Sequence, residues 1–127
     1  MAKQTKILGR NDLLTRGKLK TELVDLGDGE SVYVREMTGR EKNQFEQSCM
    51  KQVKKGDKTE FIPTLDDFKA KLAVFTCCDG AGMNLFEAND FQKLSMNISA
   101  AKLERIIIIA EKLNKISDAD KEDMLKN

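Results

Sequence analysis

The sequence predicts an α+β fold that is mainly α-helical, with an N-terminal β-hairpin followed by about four to five helices. Three observations predict it. Two short stretches within residues 21–35 alternate apolar and polar side chains, as half-buried strands do. Capping residues then precede several stretches in which apolar residues recur every three or four positions. A chain of 127 residues, 40% of them hydrophobic, is long enough for one such domain.

Residues 1–18 show no sustained hydrophobic period, and we expect them to form a flexible basic arm ahead of a single domain at 19–127. Asp12 is the only acidic residue among the basic ones at this end, which are Lys3, Lys6, Arg10, Arg16, Lys18 and Lys20. Such a run is typical of a solvated arm, and phosphate binding is the alternative. The net charge of +1 argues against a dedicated nucleic-acid-binding protein.

The predicted hairpin turns at Gly27-Asp28-Gly29, where glycine tolerates the positive φ of a tight reversal. Alternation places Tyr33 and Arg35 together on one face of the second strand, which we expect to be exposed. The residues predicted to face the core are Val24, Leu26, Val32 and Val34.

A capping box formed by Thr38 and Glu41 begins the first predicted helix. We expect this helix to run from about Gly39 to Lys54, with Phe45, Cys49 and Val53 on one face. The charged residues 54–60 then predict a loop that closes at Pro63.

A second, largely buried helix is predicted to begin at the N-cap Thr64 and to end at the glycine-rich turn 79–82. Its apolar stripe consists of Leu65, Phe68, Leu72 and Phe75. Cys77 and Cys78 are interpreted as small buried residues on helices. A short helix over about 88–94 follows, and Ser117 is predicted to cap a last short helix that ends near Lys126.

The fourth predicted helix, Ala100 to Leu113 with Ser99 as its cap, contains four consecutive isoleucines. Helix-forming flanks overrule the strand preference of these β-branched residues. The predicted core face consists of Leu103, Ile106, Ile107, Ala110 and Leu113. Ile108 and Ile109 then point elsewhere, either between two layers of the same domain or towards another molecule.

Side chains typical of catalysis are sparse, since the chain contains no histidine. Its three cysteines lack the spacing of a zinc site and fit a reducing compartment. We therefore predict no enzyme, no catalytic, metal or cofactor site, and no membrane contact, because no apolar run approaches the length of a spanning helix. A thiol-dependent enzyme that uses Cys77 or Cys78 is the remaining catalytic hypothesis.

Three stretches in order resemble the tail assembly chaperones of long-tailed bacteriophages. Residues 32–46, VYVREMTGREKNQFE, are similar to the strand-to-helix junction of that family. Residues 71–86 resemble its helix, aspartate-glycine turn and short extended segment. The third stretch is the short helix with Phe91 and Leu94, followed by Ser99 and the isoleucine helix; together the three stretches cover about residues 20–117.

The resemblance implies a chaperone that binds and solubilises the tape measure protein and helps to recruit major tail (tube) protein subunits. It would act in the host cytoplasm and be absent from the mature virion. A helix of the tape measure protein would contact an apolar stripe at Ile108, Ile109, Met96 and Ile98. Tyr33 and Arg35 mark a second candidate surface, where the hairpin edge could pair with another copy, so a homo-oligomer stays open. The alternative is a structural tail or connector protein retained in the virion.

Overall fold

A computed structural model describes residues 5–15, 17 and 19–126. The first elements are helix α1 (Arg10–Leu14), strands β1 (Thr21–Gly27) and β2 (Glu30–Arg35), helix α2 (Gly39–Ser48), and strands β3 (Met50–Lys55) and β4 (Lys58–Pro63). The later elements are α3 (Phe68–Thr76), β5 (Cys77–Cys78), a 3-10 turn (Ala88–Asp90), α4 (Phe91–Asn97), α5 (Ala100–Asn114) and α6 (Asp118–Leu125). Within these residues no helix is both long and apolar enough to cross a membrane.

The prediction of a mainly α-helical chain with a single N-terminal hairpin is wrong. The described residues form an α+β fold whose five strands are spread through the first two thirds of the chain, among the helices. The strands make a three-stranded antiparallel sheet in the order β1-β2-β5 and a separate two-stranded ribbon, β3-β4.

The ribbon replaces the end of the predicted first helix and the predicted loop. Helix α2 stops at Ser48, because the chain then continues into β3 and pairs from Met50 opposite Pro63 to Lys55 opposite Lys58. Gly56, with a φ of 63°, begins the two-residue turn, as glycine does in type II′ hairpin turns. Val53 therefore lies in a strand rather than on the apolar face of a helix.

Strand β5 was also missing from the predicted fold. Helix α3 begins at Phe68 and ends at Thr76, and Cys77 and Cys78 then pair with Val34 and Tyr33. Both cysteines are buried as expected, but in a strand and not on a helix. Residues 83–85 bond to the outer side of β5, so the edge of the sheet that stays open among the described residues is that of β1.

The core lies between the inner face of the sheet and helices α2, α3 and α5. Ile107 of α5 and Leu72 of α3 are fully buried there beside Val34 of β2. The predicted core face of the isoleucine helix is confirmed, with Leu103 and Leu113 at its margins. The predicted N-caps Ser99 and Ser117 are also confirmed, since each hydroxyl accepts a backbone N–H of the first turn.

The predicted flexible basic arm falls partly on residues outside the described ranges: residues 1–4, Arg16 and Lys18. Within the described part, α1 occupies Arg10–Leu14 and has no buried residue. Ile7, Leu13 and Leu14 are largely exposed there. The flexibility of this arm stays a prediction.

Candidate functional site: an apolar groove between β1 and α5

The most exposed large apolar residue of the three-stranded sheet and the most exposed large apolar residue of α5 line the same groove. Leu23 of β1 is 57% exposed and Ile108 of α5 is 56% exposed. Both line an open groove of about 340 Å³, completed by Val24, Asp25, Arg105 and Ile109. We call this feature the β1–α5 groove.

The isoleucine block is divided between the core and the groove by helix geometry. At 100° per residue, Ile106 and Ile107 point into the core, and both are buried. Ile109 is half-buried at the edge of the core and also lines the groove. Ile108 points out to solvent, so the reading that it lies between two layers of the same domain is wrong.

The strand side of the groove also presents free backbone groups. The Glu36 amide donates to the Lys20 carbonyl at 2.9 Å. In an antiparallel pair, alternate residues of a strand form backbone hydrogen bonds with the neighbouring strand. The backbone groups of Glu22 and Val24 therefore bond to β2, while those of Thr21, Leu23 and Asp25 point away from it. The Asp25 carbonyl accepts from Arg105 at 3.3 Å, but no strand pairs with this edge among the described residues.

The cationic residues on the two sides of Ile108 along α5 differ in their partners. Lys112 makes an exposed salt bridge with Glu22, at 3.3 Å. Arg105 makes no salt bridge within the described part of the chain, and its guanidinium donates a hydrogen bond only to the Asp25 carbonyl. The Arg105 end therefore offers an exposed cation to an acidic group of a partner, because no carboxylate neutralises it.

A second depression, of about 540 Å³, lies on the outer face of the sheet and is lined by Tyr33 and Arg35. Tyr33 is 38% exposed, in line with the sequence prediction. The predicted exposure of Arg35 is wrong, since its side chain is only 2% exposed. The segment after β5 covers it, which alternation within β2 alone could not predict.

Arg35 is held by a network of hydrogen bonds rather than left to solvent. Its guanidinium donates to both carboxylate oxygens of Glu41, at 2.9 and 2.7 Å, and to the side-chain oxygen of Asn84. Burial raises the pKa of Glu41, but the bonds from Arg35, the Thr38 amide and Asn84 outweigh it and lower that pKa to about 2. The Nε of Arg35 is buried and finds no hydrogen-bond partner among the described residues. The network joins β2 to the start of α2, and its geometry is that of a structural anchor.

The structure does not bring the remaining predicted contact residues to the groove. Met96 is 84% exposed on α4 and does not line it. Ile98 is half-buried and packs against the core. Sequence reasoning missed Leu23 and Arg105, although strand alternation already placed Leu23 on the face opposite Val24, beside Tyr33.

The cysteines are poorly placed for chemistry at a thiolate. Burial raises the pKa of Cys77 to about 12, and it also raises the pKa values of Cys49 and Cys78. All three thiols are buried. A nucleophilic or metal-binding thiolate is disfavoured at each of these positions near neutral pH, because burial penalises the loss of the thiol proton.

Comparison with protein-family models, with curated proteins and with solved structures gave no significant match.

Proposed function

We propose that this chain is a phage tail assembly chaperone that binds apolar helical surface of the tape measure protein. It keeps that client soluble in the host cytoplasm and helps to recruit major tail protein subunits before leaving the assembling particle. The resemblance over residues 20–117 supports the proposal, although the β3–β4 ribbon departs from the mainly helical fold which that resemblance implies.

The observation that carries the proposal is that Leu23 and Ile108 both line the β1–α5 groove. Two large apolar residues, each more than half exposed, line it. An amphipathic helix could lay residues spaced by three and four along this groove. Burial of both side chains would contribute about 2 to 4 kcal/mol before the cost of ordering the client.

The charged ends of the groove would set the orientation of the client helix. Arg105 lies on one side of Ile108 along α5 and Lys112 on the other. An acidic residue at one end of the apolar stripe of the client would meet Arg105, whereas Lys112 is already paired with Glu22. Ion pairs of this kind increase specificity and association rate more than affinity.

Co-expression with the tape measure protein tests the proposal. We expect the wild-type chain to keep the client in the soluble fraction, and Leu23→Glu with Ile108→Glu to lower the soluble client about tenfold by placing carboxylates in the contact. Met83→Glu is the matched control, because Met83 is 58% exposed and lies outside the groove. Equal solubilisation by the groove variant and the control would refute the assignment of the groove.

Purified virions separate the chaperone from the alternative of a retained structural protein. A chaperone that leaves the particle would be undetectable in the finished virion by mass spectrometry. Presence at a fixed ratio to the tube subunit would instead establish a tail or connector protein.

A further inference from the structure

The β3–β4 ribbon is only lightly covered by the rest of the described chain, with α2 touching β3 and α6 touching β4. Apart from the half-buried Val53 and Pro63, every residue of the two strands is exposed. Phe61 is 66% exposed and Ile62 is 40% exposed. A lone hairpin in water is marginally stable at best, so a ribbon of this kind gains stability when a further strand or surface covers it.

The outer edge of β4 has free backbone N–H and C=O groups that could pair with those on the free edge of β1. The Thr64 amide donates to the Cys49 carbonyl at 2.7 Å, so the alternate residues Lys58, Glu60 and Ile62 bond to β3. Thr59 and Phe61 therefore direct their N–H and C=O groups outwards. Pro63, at the end of this edge, offers only its carbonyl, as proline does on edge strands.

We propose that the β3–β4 ribbon of one copy docks in the β1–α5 groove of a second copy, with β4 antiparallel to β1 and Phe61 opposite Leu23. The two sheets then join into one five-stranded sheet in the order β5-β2-β1-β4-β3. The paired edges, Thr21–Asp25 and Thr59–Pro63, match in length at about 14 Å each.

On the outer face of the joined sheet the side chains agree with this register. Phe61 meets Leu23 on the outer face, next to Tyr33, which is already the partner of Leu23 across β1 and β2. On the inner face Ile62 lies opposite Glu22 and reaches Ile108 and Ile109. Cross-strand contacts between an aromatic and an apolar side chain, as between Phe61 and Leu23, stabilise antiparallel strands.

Charge complementarity favours a second copy as the occupant of the groove. In this register Glu60 lies opposite Val24, at the Arg105 end, where the exposed guanidinium has no carboxylate partner among the described residues. Glu60 is partly exposed and is held only by a surface salt bridge with Lys55 at 3.7 Å. Exchanging that weak exposed pair for Arg105 costs little.

Each copy carries one groove and one ribbon, so the contact is head-to-tail. Such a contact continues from copy to copy until it closes into a ring or extends as an open chain. The groove is the one proposed above for the client, but the self-contact requires no client and is tested in its absence. Failure of this inference would therefore leave the proposed function standing.

Cysteine cross-linking of the full chain distinguishes the possible contacts. Leu23→Cys protein and Phe61→Cys protein are prepared separately and exposed to a mild oxidant, each alone and as a mixture. We expect the mixture to give at least about ten times more covalent dimer than either variant alone, because facing cysteines on paired strands lie within disulfide reach. Met83→Cys mixed with either variant is the control for random collision, since Met83 is similarly exposed.

Other outcomes of the cross-linking overturn the proposal. Dimer from Leu23→Cys alone would indicate β1 pairing with β1, and dimer from Phe61→Cys alone would indicate pairing between two ribbons. A mixture that reacts no faster than the Met83→Cys control would show that the groove does not take the ribbon. Circular dichroism of each variant, matched to the wild-type spectrum, ensures that the comparison is between folded proteins.

A charge exchange tests the same contact without cysteines. Arg105→Glu and Glu60→Arg should each weaken self-association about tenfold in sedimentation experiments, because each places like charges together. The two changes in one chain should restore it. If the double variant self-associates as weakly as the single variants, Glu60 of one copy does not lie next to Arg105 of the other.

Discussion

Arg35 and Glu41 form a bidentate ion pair, with N–O distances of 2.9 and 2.7 Å, that links the end of β2 to the first turn of α2. The same carboxylate accepts the Thr38 amide at 2.9 Å as part of the capping box. One side chain thus begins a helix and neutralises a buried cation.

Replacing Glu41 separates these two roles. Glu41→Gln keeps a capping-box residue but leaves the Arg35 guanidinium buried without a counter-ion. We expect the free energy of unfolding to fall by about 3 kcal/mol. Urea denaturation measures it, and Thr38→Ala, which removes only the capping hydroxyl, should cost about 1 kcal/mol. Equal losses for the two variants would contradict a special role for the ion pair.

Acid should weaken the fold through the same carboxylate. The pKa of Glu41 is about 2 in the folded chain against 4.5 ordinarily, so the folded state holds its negative charge more tightly than the unfolded state. The contribution of Glu41 to the free energy of unfolding is fully present above about pH 5. It is lost as the pH falls towards 2, and the total loss is about 3 kcal/mol. Urea denaturation at a series of pH values checks this. The slope attributable to Glu41 should be missing from Glu41→Gln.

Neighbouring isoleucines should differ sharply in their contribution to stability. Ile107 is 1% exposed, so Ile107→Ala should leave a cavity and lower the free energy of unfolding by about 3 to 4 kcal/mol. Ile108→Ala should cost less than about 1 kcal/mol, because Ile108 is mostly in solvent. Thermal and urea unfolding of the two variants measure the difference. Similar losses would place Ile108 in the core and remove the groove as a binding site.

The residue that ends α5, Lys115, has a strained backbone conformation that a substitution could relieve. Lys115 adopts a left-handed conformation with a φ of 53°, a position where helices usually have glycine. We expect Lys115→Gly to raise the free energy of unfolding by about 0.5 to 1 kcal/mol. Lys115→Ala, which removes the charge but keeps the Cβ, is the control and should give no such gain.

The thiols should be inert in the folded protein. Because burial raises the pKa of Cys77 to about 12, a thiol reagent at neutral pH should label Cys49, Cys77 and Cys78 only as fast as the protein unfolds. Client solubilisation should survive Cys77→Ser with Cys78→Ser. Rapid labelling of the native chain, or loss of function in that double variant when it is folded, would revive the thiol-enzyme hypothesis.

The elements that could be predicted from sequence are those specified by local signals. The first hairpin, the Thr38–Glu41 capping box, the Ser99 cap and the core face of α5 each depend on residues a few positions apart. Their patterns are therefore visible within a short window.

The missed elements depend on competing or distant signals. Phe45, Cys49 and Val53 continue a helical spacing through the start of β3, and this concealed the Gly56-Asp57 turn signal of the ribbon. Strand β5 is only two residues long and exists because β2 lies beside it, which no local pattern specifies. The burial of Arg35 has the same origin, since the segment containing Asn84 covers it from far along the chain.

The groove was partly predictable. The excess of isoleucines over what one helix face can bury pointed to Ile108, but its neighbour across the groove comes from a strand some 80 positions earlier, as the Arg105–Asp25 hydrogen bond shows. That juxtaposition requires the docking of α5 on the sheet. Met96 and Ile98, which the sequence placed in the same contact, do not line the groove.

The position of β5 immediately after α3 has a consequence for synthesis on the ribosome. Until Cys77 and Cys78 emerge, the first hairpin has two unpaired edges and no third strand, and it has neither α3 nor α5 to cover its apolar face. We expect nascent chains shorter than about 80 residues to be sensitive to protease and prone to aggregate, with protection gained only after α5 has left the exit tunnel.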